Sequence, residues 1–196
     1  MRLVLVSENA HKARELAAAL PGWEVIRWDG PTLPPETGTT FLANARGKAV
    51  FGRRHAGPGV WVAGEDSGLE VDALAGSPGV FSARYAGEGS TDDANVEKLL
   101  RELAGVEGPA RRGRYRATIV ALSPEGDEVV AEGALEGRVA SERRGTGGFG
   151  YDPIFVPEGE NHTVAELGDA WKAGNSHRAR AAHALAARLG AHAGTV

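Results

Sequence analysis

An apolar run at residues 60–63 leads directly into the acids Glu65 and Asp66, and a third acid, Glu70, follows them. This pattern predicts a strand that ends in a turn at Ser67-Gly68. In α/β proteins, polar groups that follow a strand lie at the carboxyl edge of the sheet, where ligands bind. Neighbouring carboxylates repel each other and favour a cation, and Mg²⁺ takes one or two carboxylates together with phosphate oxygens. The alternative is a polar loop whose acids are solvated.

Helix and strand signals alternate along the rest of the chain, which at 196 residues is long enough for one domain with a sizeable core. Strands are predicted at 2–6, 23–28, 115–122 and 128–139, and helices at 11–20 and after the capping residues Thr40, Ser90 and Ser176. Strands mixed with helices, with a hairpin in the middle, predict a mixed α/β sheet. The arginine-rich run at 111–116 is interpreted as a solvated edge that discourages strand pairing. The chain is expected to fray from Gly190.

Composition excludes several functions. The formal net charge of −4 argues against a general nucleic-acid binder, which needs a basic surface. The absence of cysteine excludes disulfides, thiolate catalysis and cysteine-based zinc sites. Because no apolar run approaches the roughly 20 residues of a membrane helix, no membrane partner is expected. A cytoplasmic location is compatible with these features.

A glycine-rich loop at residues 145–150 matches the pattern G-x-G-x-x-G. It fails as a dinucleotide motif because Pro153 forbids the helix that such glycines open. What remains is a flexible backbone that flanks the rings of Phe149 and Tyr151, which are able to stack on a flat base. The alternative is that both rings are core residues at a tight bend.

Two predicted helix starts carry cations. Residues 7–12 form the first strand-to-helix turn, where free backbone N–H groups and Lys12 attract phosphate, although a solvated Lys12 is the alternative. At the start of the last helix, His177 and Arg178 oppose the helix macrodipole. An anion or a polar base facing this pair explains them better than helix stability does. Carboxylates for Mg²⁺, cations for phosphates and rings for a base together predict a site for a nucleoside triphosphate.

At these residues the chain resembles the inosine/xanthosine triphosphate pyrophosphatases, which remove non-standard purine nucleotides. The resemblance covers nearly the whole chain through motifs in register, at residues 5–16, 40–49, 65–71, 78–85, 148–153, Lys172 and 176–178. It implies an elongated mixed central sheet with helices on both sides, and two lobes that flank a nucleotide-binding cleft. Residues 1–196 would then form a single domain that needs Mg²⁺ and assembles as a homodimer.

The resemblance also implies roles for particular residues. Asp66 would be the catalytic base and a metal ligand, Lys48 would stabilise the developing phosphate charge, and Glu65 and Glu36 are further candidate metal ligands. The implied substrate contacts are Ser7, Glu8, Asn9, Ala10, His11, Lys12, Ser67, Phe149, Gly150, Tyr151, Asp152, Lys172, His177 and Arg178.

The chain departs from the family pattern at four places. Glu65 replaces the usual aspartate and keeps its charge, while Ser7-Glu8 replaces Thr-Gly in the first turn. Ala43 and Pro35 each stand where the family often has an acid, which leaves Glu36 as the only candidate metal ligand of its loop.

The implied reaction is hydrolysis of ITP, dITP and XTP to the nucleoside monophosphate and pyrophosphate. Two alternatives stay open. One is a house-cleaning pyrophosphatase for non-standard pyrimidine or methylated nucleotides. The other is a nucleotide-binding module without turnover, against which Asp66 and Lys172 argue.

Overall fold

A computed structural model describes residues 1–193 as a sheet with helices packed on it. The strands are β1 (Arg2–Val6), β2 (Glu24–Arg27), β3 (Trp61–Val71), β4 (Arg112–Leu122), β5 (Glu128–Val139) and β6 (Phe155–Pro157). The helices are α1 (Ala10–Ala19), α2 (Phe41–His55), α3 (Asp92–Glu102), α4 (Val164–Asn175) and α5 (His177–Ala193). The six strands follow the order β2-β1-β3-β4-β5-β6, with β1 parallel to β2 and β3, and β6 antiparallel to β5. The predicted mixed α/β fold is confirmed.

Side chains at the helix starts bind the first free N–H groups, which have no partner inside the helix. Asn9 caps α1, and Thr40 caps α2 as predicted. Helix α3 is capped by Thr91 and not by Ser90, whose hydroxyl instead donates to Asn95. None of the described helices is long and apolar enough to cross a membrane.

Helix α4 and strand β6 lie in a region for which the sequence reading predicts no regular element. The start of α4 is a capping box, in which Thr163 binds the N–H of Glu166 and the Glu166 carboxylate binds the N–H of Thr163. This T-x-x-E pattern is a recognisable sequence signal. Within α4, Gly168 has a non-helical backbone with φ of +79°, so the helix is kinked there.

The chain divides into two compact units. Unit 1 comprises residues 1–66 and 117–133 and the residues from His177 onward, and unit 2 comprises Ser67–Arg116 and Ala134–Ser176. Strands β3, β4 and β5 therefore contribute residues to both units. The prediction of a single domain with two lobes stays a prediction.

Unit 1 has apolar side chains on both faces of its strands. Leu3 and Leu5 of β1 pack with α1 and α5, whereas Val6 belongs to a second cluster with Phe51 of α2. This division follows from the alternation of side chains along a strand.

Helix α2 approaches β3 most closely at Gly64, where an added Cβ would lie 2.0 Å from the carbonyl oxygen of Ala45. Only glycine allows this approach.

Unit 2 has its own core, which forms around α3, α4 and the adjoining parts of the strands. Its buried members are Leu69, Val71, Val96, Leu99, Leu103, Tyr115, Leu135, Val139, Tyr151, Ile154, Phe155 and Val164. This core supports the loop that carries Phe149 and Asp152, because Tyr151 and Ile154 are part of both.

Three predictions about the elements are wrong. Strand β3 does not end before the acids but continues to Val71, so Ser67-Gly68 is extended and forms no turn. Strand β4 lies inside the sheet, and two arginines of the run are bound: Arg111 donates to the carbonyl groups of Val139 and Ala140, and Arg114 pairs with Asp72 and Glu136. Helix α5 runs past Gly190 to Ala193, and fraying beyond that point would concern residues 194–196, outside the described part of the chain.

Candidate active site

Glu65 and Asp66 are buried inside β3, although they were expected at the end of a strand, at the carboxyl edge of the sheet. Successive side chains of a strand point to opposite faces, and the two carboxylates accordingly have different partners. Asp66 contacts residues of α2, whereas Glu65 contacts residues of α1 and α5. Burial of two adjacent acids is possible because each face supplies its own cations.

On the α2 side lies an acid–lysine cluster formed by Glu36, Asn44, Lys48 and Asp66. The amide of Asn44 donates to Asp66 Oδ2 at 2.9 Å. The ammonium group of Lys48 lies 3.5 Å from Asp66 Oδ1, forms an ion pair with Glu36 and donates to the backbone oxygen of Glu65 at 2.8 Å. Because α2 packs backbone to backbone on β3 at Gly64, Asn44 and Lys48 are held beside the acid.

The surroundings shift the pKa values of Asp66 and Lys48 in this cluster. Burial raises the pKa of Asp66 above its ordinary value, and the opposing attraction of Lys48 does not cancel that effect. Burial alone would lower the pKa of Lys48, but the negative charges of Asp66 and Glu36 outweigh it and raise the pKa overall. Lys48 therefore stays protonated, while Asp66 is a stronger base than a solvated aspartate.

On the other face, Lys12, Glu15, Glu65 and Arg178 form the Glu65 network. Lys12 Nζ lies 2.8 Å from Glu65 Oε2, Arg178 Nε lies 3.2 Å from Glu65 Oε1, and a second nitrogen of Arg178 binds Glu15. Burial would raise the pKa of Glu65, yet Lys12 and Arg178 hold it well below the usual range. Two donors of Arg178, expected to face a substrate base, are thus bound to carboxylates.

The first strand-to-helix turn carries fewer free donors than predicted. The side chain of Asn9 accepts from the N–H groups of His11 and Lys12 at 2.9 and 3.4 Å, and Ser7 Oγ accepts from the N–H of Asn9. The phosphate-binding role of residues 7–12 stays a prediction that depends mainly on Lys12.

In unit 2, Tyr115, Phe149, Asp152 and Lys172 form the Asp152 cluster. Lys172 Nζ donates to Asp152 Oδ2 at 2.8 Å and lies 4.7 Å from the centre of the Phe149 ring. The N–H of Phe149 also donates to Oδ2, at 3.0 Å, and the Tyr115 hydroxyl donates to Oδ1 at 3.2 Å. Asp152 and Lys172 are both buried, so this ion pair is little screened by solvent.

The glycine-rich loop is anchored by hydrogen bonds near both of its ends, and its flexibility stays a prediction. The N–H of Gly150 donates to Asp92 at 2.7 Å, and the hydroxyl of Thr163 donates to the carbonyl oxygen of Arg144 at the other end of the loop. The two rings also differ: Tyr151 is buried with its hydroxyl on Ser82, as in the core alternative, whereas Phe149 is only partly buried.

The predicted site residues thus fall into two groups. Unit 1 contains residues 7–12, Glu36, Lys48, Glu65, Asp66 and the buried pair His177 and Arg178, and unit 2 contains Ser67, residues 149–152 and Lys172. The structure adds three residues to these groups for which the sequence predicts no role: Asn44, Glu15 and Tyr115. Asn44 and Glu15 lie inside family motifs, which is a usable signal, whereas nothing in the sequence marks Tyr115 as a partner of Asp152.

The acid–lysine cluster also bears on the expected metal. Among residues 1–193, no group of three or more histidine, aspartate or glutamate side chains converges as an all-protein metal site. Asp66 and Glu36, which approach the same ammonium group, fit a hard cation that needs one or two carboxylates and takes its other ligands from phosphate and water. Glu65 fits less well, because Lys12 and Arg178 already neutralise it.

Fold and site together define a mixed α/β protein with a buried acid–lysine cluster. Residues 3–188 match the Ham1 family, and the chain belongs to this family. The dITP/XTP pyrophosphatase of Methylococcus capsulatus is 45% identical over 98% of this chain and 98% of its own length. That of Leifsonia xyli is 43% identical over 94% of each chain.

Solved structures agree with the sequence relatives. The Ham1 protein of Staphylococcus aureus superimposes with a TM-score of 0.84 at 36% identity, covering 98% of this chain and 100% of its own. A nucleoside-triphosphatase / dITP/XTP pyrophosphatase from Mycobacterium abscessus has a TM-score of 0.74 at 40% identity, covering 96% and 100%. The family resemblance seen in the sequence is confirmed.

Proposed function

We propose that the protein hydrolyses the non-standard purine nucleotides ITP, dITP and XTP to the monophosphate and pyrophosphate. The observation that carries this proposal is Asp66, a buried carboxylate of raised pKa held between Asn44 and protonated Lys48. The names of the Methylococcus and Leifsonia relatives support the substrate class.

In this mechanism, Asp66 orients a water molecule and accepts its proton while the water oxygen attacks phosphorus. The anhydride bond between the α- and β-phosphates breaks, and pyrophosphate leaves. Lys48 and Lys12 stabilise the negative charge that develops on the phosphate oxygens. Mg²⁺, held by Asp66 and Glu36, would supply Lewis-acid polarisation of the phosphate when bound.

Base selection belongs to the same proposal. Hypoxanthine and xanthine carry a 6-oxo acceptor where adenine has an amino donor, so donors at that edge stay unpaired when adenine enters. In unit 2, the ring of Phe149 beneath the Lys172 ammonium group suits stacking on a flat base.

The test is pyrophosphate release from a panel of nucleoside triphosphates, with Mg²⁺ and with excess EDTA. We expect turnover of ITP, dITP and XTP to exceed that of ATP by about two orders of magnitude or more, and no turnover in EDTA. Preferred hydrolysis of a pyrimidine or methylated nucleotide would select the house-cleaning alternative. Binding of ITP without any pyrophosphate would select the non-catalytic one.

We also propose that the protein works as a homodimer, as its resemblance to the family implies, and in the cytoplasm, with which its lack of cysteine is compatible. Light scattering should give twice the chain mass of 20.4 kDa. A mass equal to that of one chain at the concentrations of the assay would rule the dimer out.

A further inference from the structure

Asp152 is a buried carboxylate whose two oxygens have different partners. Oδ2 accepts from Lys172 Nζ and from the N–H of Phe149, at 2.8 and 3.0 Å. Oδ1 accepts from the hydroxyl of Tyr115 at 3.2 Å. The contact from Tyr115 therefore acts on the oxygen opposite the one that Lys172 and the backbone of Phe149 bind.

Tyr115 is well placed for this task because its ring does not move easily. It lies on the central strand β4, is 7% exposed, and packs against the ring of Phe155 with centroids 4.7 Å apart. A phenylalanine would fill the same space, so the packing does not require a hydroxyl group. A buried hydroxyl without a partner is unfavourable, and at this position the group that receives it is Asp152.

We infer that Tyr115 is a positioning residue for nucleotide binding, which acts through Asp152. The inference rests on the proposed function, in which Asp152 and Lys172 bind the nucleotide. Tyr115 orients Oδ1, while Lys172 and the loop backbone hold Oδ2, and the ammonium group of Lys172 is thereby kept over the Phe149 ring. Tyr115 itself touches no reacting atom, so its removal changes affinity and leaves the chemical step intact.

The decisive variant is Tyr115→Phe, which removes one oxygen atom and keeps the ring. We expect its KM for ITP to rise about tenfold, as one hydrogen bond to a charged group is lost, with kcat within about twofold of wild type. Tyr85→Phe is the matched control, because it removes a tyrosine hydroxyl from another carboxylate of unit 2, Glu102, outside this cluster. It should leave KM and kcat unchanged.

A double-mutant cycle with Asp152→Asn separates positioning from packing. If Tyr115 acts through Asp152, Tyr115→Phe should change KM by less than about twofold in the Asp152→Asn background. Equal effects in both backgrounds, or a wild-type KM for Tyr115→Phe, would overturn the inference. A fall in melting temperature with KM and kcat unaltered would also do so, since it would assign the hydroxyl to stability alone.

Calorimetric titration with ITP in EDTA distinguishes this inference from the proposed function. A wild-type protein that binds ITP in this titration but releases no pyrophosphate from it in the Mg²⁺ assay would contradict the function, and the Kd of Tyr115→Phe would still decide the inference. A wild-type protein that neither binds nor hydrolyses ITP would contradict both the inference and the proposed function.

Discussion

At the scale of single residues, the site depends on charges that are buried and matched. Lys48 stands between two carboxylates, and its raised pKa keeps it protonated beside Asp66. The pKa of Asp66 is also raised, but for a different reason: burial disfavours its charged form, so the carboxylate accepts a proton more readily. The pair therefore provides a fixed positive charge and a ready proton acceptor 3.5 Å apart.

Replacement of Asp66 by asparagine should cut kcat by about 10² or more, the usual cost of losing a positioned base. The amide has nearly the same size, so the fold should persist, as circular dichroism would check. Asp29→Asn, at an exposed aspartate of the same unit, is the control and should retain wild-type turnover. Normal turnover of Asp66→Asn would remove this residue from catalysis.

Glu65 gives a prediction about stability and pH. Its pKa in the folded state lies below that of the unfolded chain, so its ionised form stabilises the fold above about pH 4.3 and loses this effect as the pH falls through the folded value. Near neutral pH, Glu65→Gln should lower the free energy of unfolding by about 3 kcal/mol, because Lys12 and Arg178 lose a buried partner.

Denaturant unfolding at several pH values measures this effect, and the gap between wild type and Glu65→Gln should narrow below about pH 4. Glu24→Gln is the control, because the Glu24–Arg2 pair is exposed and should contribute less than about 1 kcal/mol. A gap that stays constant across the acid range would show that the charge of Glu65 is not the stabilising feature.

At the scale of elements, the position of α2 depends on a glycine. An added Cβ at Gly64 would meet the backbone of α2 at Ala45 and Ala49, so Gly64→Ala should displace the helix that carries Asn44 and Lys48. We expect a loss of about 2 kcal/mol of stability from such overpacking, together with a fall in kcat.

Gly47→Ala is the matched substitution, because Gly47 lies within α2 and an added Cβ there meets nothing within 4 Å. Alanine is a better helix former than glycine, so this variant should gain about 0.5–1 kcal/mol. Thermal denaturation of both variants is the measurement. Equal stability of the two alanine variants would contradict the close packing at Gly64.

The elements also show what the sequence can and cannot predict. Features that depend on a few neighbouring residues were predicted correctly. Thr40 caps α2 as expected, and the hairpin strands β4 and β5 lie where their apolar patterns indicated. The T-x-x-E signal of α4 is equally local and marks a helix that the apolar pattern alone does not indicate.

The acids of β3 were misplaced for a different reason. Their burial depends on Lys12, Lys48 and Arg178, which are far away in the sequence and become neighbours only after folding. The family motifs named the residues that form the clusters of each unit, and their roles stay predictions, but the motifs did not reveal that Arg178 is bound to Glu15 and Glu65.

At the scale of the whole molecule, each unit has a core of its own, yet three of the six described strands belong to both units. Strands β3, β4 and β5 supply side chains to both cores, as Ala63 and Leu69 of β3 illustrate. We therefore expect a single cooperative unfolding transition. Three of the four tryptophans lie in unit 1 and all three tyrosines in unit 2, so tryptophan fluorescence reports mainly on unit 1 and second-derivative tyrosine absorbance on unit 2.

Coincident melting curves from these two signals, and a calorimetric enthalpy equal to the van't Hoff enthalpy, would support this expectation. Two separated transitions would contradict it and would mean that one core persists after the other is lost.

The same interleaved course of the chain limits how such a gene can be inherited and recombined. Unit 2 is encoded in two stretches placed inside the coding sequence of unit 1, with borders after codons 66, 116, 133 and 176. A single crossover between two homologous genes therefore cannot exchange one unit intact, and an end-to-end gene fusion cannot have produced this arrangement. Chimeras of two relatives should retain their fold best when all four borders are respected, and such an exchange takes four crossovers.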